Sequence, residues 1–142
     1  MLEDYRDLID ELLGTPKLLR QLLDGHPSPQ MLALIAALRD RDEVVLERLQ
    51  RFTRQNEPHL KALPPEAAVA EGNGGPTDAA ALIDSFDTAR GELVSLLMNL
   101  ALKDWERTAT HDDGGVLTLA EEVERHVEFE EALMPRIESA AS

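Results

Sequence analysis

The sequence predicts an all-α four-helix bundle, and three observations carry the prediction. Met31, Ile35, Leu38, Asp42, Val45, Leu49 and Phe52 alternate in steps of four and three, the seam of a helix packed in a bundle. Thr118, followed three residues later by Glu121, forms a capping box ahead of a second long stripe: Leu119, Val123, His126, Val127, Glu130, Leu133, Met134 and Ile137. No stretch of strand length alternates apolar and polar residues convincingly. A chain of 142 residues, without repeats or low-complexity tracts, is expected to form a single domain over residues 1–142.

The first helix is expected from the N-terminus, with Leu2, Tyr5, Leu8, Ile9 and Leu12 on one side and Glu3, Asp4, Asp7 and Asp10 on the other. Gly14-Thr15-Pro16 interrupts its register, and a bent single element through Leu23 is the preferred reading. The run Asp24 to Pro29 stops the helix and turns the chain. The second helix then spans about Pro29 to Asn56. Leu63 to Pro76, rich in Pro and Gly, reads as a long crossover loop between the second and third helices, with one helical turn at Glu66 to Val69. Thr77 is the expected cap of a third helix reaching about Ala101, with Leu82, Phe86, Ala89, Leu93, Leu97 and Leu100 on its core face. A tryptophan-bearing turn and the loop of Gly114 and Gly115 lead to the last helix, in which Pro135 predicts a kink or fraying.

Charge and composition narrow the function classes. With 14 basic against 28 acidic residues, the formal net charge of -14 repels phosphate backbones and anionic lipid surfaces, so neither nucleic acid nor a membrane is an expected partner. The chain has no cysteine, which removes disulfides and cysteine nucleophiles. No apolar run approaches the length of a membrane span, and no basic stretch precedes an apolar run at the start, so a soluble cytoplasmic protein is the expectation. Ser85 and Ser95 are helical and neither sits in an elbow-type turn, which argues against a serine relay.

Several segments resemble the DinB-like (DinB/YfiT-like) four-helix bundles. They are Ala79 to Leu100, the turn Asp104-Trp105-Glu106-Arg107-Thr108-Ala109-Thr110-His111, the glycine loop, and Thr118-Leu119-Ala120-Glu121. Thr15-Pro16 and Leu38-Arg39-Asp40-Arg41-Asp42-Glu43 also look like that family's pattern. The resemblance implies a divalent metal on three histidines, one from the second helix and two spaced i, i+4 on the last, activating a small thiol in several members. It also implies a homodimer. This sequence departs from the ligand pattern. Ala37 or Ile35 stands at the first position, and Phe129 with Leu133, or Glu130 with Met134, at the other two. The expectation is therefore a bundle without metal or other cofactor, serving as a non-catalytic small-molecule-binding or interaction module.

The alternative is a metal-dependent enzyme of the thiol S-transferase or hydrolase type, with zinc or nickel on Asp42, His126 and Glu130. Two carboxylates and an imidazole on facing seams are legitimate ligands. The same residue types equally suit a buried network in which His126 offsets a carboxylate's charge, which is the favoured reading. If Asp42 is only a buried structural charge, leucine in its place should leave stability unchanged or raised, because a well-packed apolar residue can match a buried ion pair. Trp105 and His111 are the pocket candidates, set against end-packing for Trp105 and solvation or local turn-making for His111.

Overall fold

A computed structural model describes residues 2–25, 27–69 and 78–141. Four helices dominate: α1 (Leu2–Leu23), α2 (Pro29–Arg54), α3 (Ala79–Met98) and α4 (Leu119–Ala141). Each packs against two others in the cyclic order α1, α3, α2, α4, so sequence neighbours α1 and α2 stand diagonally, as do α3 and α4. The diagonal step from α1 to α2 is made in a few residues, with Gly25 at φ 138, a conformation that side chains with a Cβ rarely adopt.

Local chemistry sets the helix ends. Ser28 caps α2, its Oγ accepting the Met31 N–H at 3.1 Å and donating to the Ala140 carbonyl at 2.7 Å, which ties the start of α2 to the end of α4. The expected capping box is present: Thr118 Oγ1 accepts the Glu121 N–H at 3.1 Å, and Glu121 Oε1 accepts the Thr118 N–H at 3.0 Å. The cap of α3 is Asp78, whose Oδ1 accepts the Ala81 N–H at 3.1 Å. The expected Thr77 lies outside the described residues, as do His26 and the crossover positions Gly72 to Pro76. Helix α1 runs through Pro16 as a single element, and α4 continues past Pro135 without the fraying allowed for there.

Two expectations are corrected. Helix α3 stops at Met98 and not near Ala101: Asn99 leaves the helical conformation at φ -96 and ψ 0, and a 3-10 turn follows at Leu102–Glu106. Strand structure is also present, as three short strands: β1 (His59–Leu60), β2 (Thr108–His111) and β3 (Val116–Thr118), in the order β1-β2-β3. Strand β2 pairs in parallel with β1 and antiparallel with β3. Its burial does alternate, but over four residues only, too short a run for periodicity to stand out.

All seven predicted seam residues of α2 are buried. The interior divides into two apolar clusters. One gathers Leu12, Val45, Leu49, Phe52, Leu93, Val127 and Trp105 toward the sheet. The other gathers Leu19, Ile35, Leu38, Phe86, Phe129 and Leu133 toward the opposite end. Between them every helix carries a buried polar residue: Thr15, Asp42, Arg90, and His126 with Glu130.

Candidate functional site

This polar layer is where the sequence placed its strongest candidates, and the structure brings Asp42, His126 and Glu130 together. Each occupies a position on an apolar stripe, so helical periodicity drives it inward whatever its polarity. The residue that organises them is one the sequence reading passed over, Arg90. Its Nε and Nη2 donate to Asp42 Oδ2 and Oδ1 at 2.6 and 3.0 Å. Its Nη1 donates to the Leu12 carbonyl at 2.8 Å, and Nη2 lies 2.6 Å from Glu130 Oε1. The Phe86 ring sits beneath the guanidinium at 4.8 Å. His126 Nε2 bonds Asp42 Oδ1 at 2.7 Å, and Thr15 Oγ1 donates to Glu130 Oε2 at 2.8 Å.

The electrostatics follow from the contacts. Burial by itself would raise the Asp42 carboxyl, but hydrogen bonds from His126 and Arg90, with the guanidinium charge, hold it below the ordinary carboxylate range. Burial likewise opposes the charge on Arg90, yet Asp42 and Glu130 raise it above the usual arginine value. Two buried polar atoms in the layer lack a hydrogen bond: His126 Nδ1, and Glu130 Oε1, whose approach to Arg90 is a charge contact without hydrogen-bond geometry.

With Arg90 packed between the two carboxylates, this donor set is not arranged to hold a divalent cation. Both oxygens of Asp42 are engaged by Arg90 or His126, Glu130 Oε2 is engaged by Thr15, and the cation between the two carboxylates is a guanidinium. Among the described residues, no group of three or more His, Asp or Glu side chains is placed to hold a metal. Of the positions that the family resemblance assigns to histidine, only Glu130 belongs to this layer. Ala37 and Phe129 line a common recess with Arg41, while Leu133 is fully buried in the core. In the alternative register, Ile35 is fully buried in the core, Glu130 sits in the polar layer and Met134 packs at its edge.

A second buried pair lies one level toward the sheet. Arg48 on α2 donates to Glu122 on α4 through Nε at 2.8 Å and Nη2 at 3.2 Å, and to the Lys61 carbonyl through Nη1 at 2.6 Å. Both residues were missed, although a sequence signal existed. Arg90 falls four residues after Phe86 and three before Leu93, Arg48 falls three after Val45, and Glu122 falls three after Leu119. Drawing the α3 stripe through Ala89 hid Arg90.

The two pocket candidates sit at the sheet end. Trp105 is buried and stacks on Tyr5 with ring centroids 4.5 Å apart, the end-packing role weighed for it. His111 is buried on β2, not solvated, with Nδ1 3.3 Å from Asp113 Oδ2. Neither lines any of the larger recesses among the described residues. His59, given no role from sequence, joins β1 to β2 through Thr110 Oγ1 at 2.9 Å and Asp112 Oδ1 at 2.7 Å.

The architecture is a four-helix bundle. Among solved structures, YfiT from Bacillus subtilis, described as a probable metal-dependent hydrolase with an unusual four-helix bundle topology, matches with a TM-score of 0.70. At 17% identity the match covers 96% of this chain and 89% of that one, a likeness of fold. No family model matches the chain. No curated protein sequence matches it either.

Proposed function

We propose that this protein is a non-catalytic small-molecule-binding or interaction module on a YfiT-type bundle, its polar layer serving the fold. The observation that carries the reading is Arg90, whose guanidinium supplies the positive charge between Asp42 and Glu130. A side chain that neutralises two buried carboxylates leaves them no need of a metal ion. Ligand binding is supported by a recess of about 760 Å³ between α1 and α3, walled in part by Leu13, Val94 and Met98. That is the size range of small-molecule pockets. Homodimer association and a cytoplasmic location belong to the same proposal. No described helix is long and apolar enough to cross a membrane.

A second reading has an observation of its own. His126 Nδ1 is buried without a hydrogen-bond partner, and YfiT is described as a probable metal-dependent hydrolase. In that reading Asp42, His126 and Glu130 would hold zinc or nickel in place of their contacts with Arg90, and the ion would supply Lewis acidity for thiol transfer or hydrolysis.

Elemental analysis of tag-free protein after dialysis against metal-free buffer, with zinc and nickel titrations followed by thermal unfolding, tests the first reading. The expected result is no stoichiometric transition metal and no metal-dependent rise in Tm. Stoichiometric zinc or nickel that disappears in His126→Ala would overturn it in favour of the second.

A further inference from the structure

A recess of about 370 Å³ opens between α2, α4 and the crossover segment, with Ala37, Val44, Leu63, Ala68 and Phe129 among its walls. Its roof is pinned on both sides. Arg41 Nη1 donates to the Pro64 carbonyl at 2.7 Å, and Arg136 donates to the Glu66 and Val69 carbonyls at 2.8 and 2.9 Å. The Arg41 guanidinium lies over the Phe129 ring at 4.2 Å.

The charges around this recess pair off and leave one over. Asp40 at the rim is held by Arg39, Glu66 in the roof by Arg136, and Glu122 by Arg48. Among the described residues no carboxylate forms an ion pair with Arg41, and its Nε is buried without a hydrogen-bond partner. Burial lowers the Arg41 guanidinium from its usual value, with Glu122 opposing and Arg48 adding to the shift. In a chain of net charge -14, a half-buried arginine without a carboxylate, facing an apolar recess, is a cation awaiting an anion.

We infer that this recess binds a small organic carboxylate, its anionic head on the Arg41 guanidinium and its apolar body against Phe129, Val44 and Leu63. The site rests on the small-molecule reading above and adds to it a recess distinct from the one between α1 and α3, with a ligand class of its own. Arginine suits the head because its planar fork donates two parallel bonds to a carboxylate. The walls suit a short alkyl or aryl body, and the volume admits a ligand of that size.

The test is an NMR titration of the full chain, in EDTA, with hexanoate and with its neutral analogue hexanamide. Hexanoate is expected to give saturable shifts at the Ala37, Val44, Ala68 and Val69 amides and to bind about tenfold or more tighter than hexanamide. Arg41→Gln should abolish that preference. Ala37→Phe, which leaves Arg41 in place and fills the recess, should abolish binding of both probes. Equal affinities, shifts centred elsewhere, or a hexanoate affinity unchanged by both variants would overturn the site and leave the small-molecule reading standing. Absence of saturable hexanoate binding in EDTA also overturns it. If that binding returns with added zinc, the metal-free reading falls as well.

Discussion

Arg90 on α3 grips both carboxylate oxygens of Asp42 on α2, at 2.6 and 3.0 Å, at the level where the two apolar clusters of the core meet. The same guanidinium reaches the Leu12 carbonyl of α1 and Glu130 of α4, so one side chain touches all four helices. A buried ion pair adds little net stability over a well-packed apolar layer, but each member is costly to lose alone. Register is what such a layer best specifies: sliding any helix by a turn would strand a charge in an apolar cluster.

Arg90→Met should therefore destabilise the protein by about 3–5 kcal/mol, because it leaves two carboxylates buried without their cation. Asp42→Leu should cost a similar amount. This reverses the expectation that leucine would leave stability unchanged or raised, since Arg90 and His126 both depend on Asp42. Replacing Asp42, Arg90 and Glu130 together by Leu, Met and Leu should recover most of the loss. Urea unfolding of the three proteins checks this, and a triple variant no more stable than the singles would refute it.

A surface pair predicts a pH dependence. Glu11 on α1 meets Glu131 on α4 carboxyl to carboxyl, and that hydrogen bond, with desolvation and the charges of Glu131 and Glu130, raises Glu11 from 4.5 to about 7. The folded chain thus holds this proton more tightly than the unfolded chain. The stabilisation is complete below pH 4.5 and is lost as pH rises through about 7. Asp42 has the opposite sign. Its lowered value makes its contribution fade only in acid, as pH falls through a folded-state value below 3.8. Thermal unfolding between about pH 5 and about pH 8 should show Tm falling with pH, and Glu11→Gln should flatten the slope.

The Tyr5–Trp105 stack fastens the start of α1 to the turn ahead of the sheet. Tyr5→Ala should cost about 1–3 kcal/mol and shift tryptophan emission to the red as the indole face meets water. The chain has a single tryptophan, so the emission reports this site alone. An unchanged emission maximum would show that the ring stays covered without Tyr5.

The proposed homodimer is checked by light scattering. Exposed apolar side chains outside the proposed ligand recess, Leu18 on α1 among them, offer surface for association. The expected mass is twice that of the 15.7 kDa chain, and a value matching one chain rules the dimer out.

Asp42, His126 and Glu130 could be named from sequence because an ionisable residue on an apolar stripe violates the pattern that surrounds it. Arg90 broke the α3 stripe in the same way, but the stripe drawn through Ala89 looked continuous without it. Arg41 gave no such signal. Its place beside Phe129 depends on the pairing of α2 with α4, which no periodicity encodes. The strands were missed because runs of two to four residues draw their order from partners outside their own sequence.

The sequence by itself determined the four helices, the inward face of each and the capping box of the last, because hydrophobic spacing and capping chemistry act within a few residues. Tertiary structure alone decided which faces meet, and so what the polar residues do. Arg90 finds Asp42 across 48 positions and His126 finds it across 84. Contacts at that range follow from the diagonal arrangement of α1 with α2 and of α3 with α4, which brings one residue from each seam to a common level. A carboxylate that along one helix suits either a metal or a buried network is, once the helices are packed, the partner of an arginine from another.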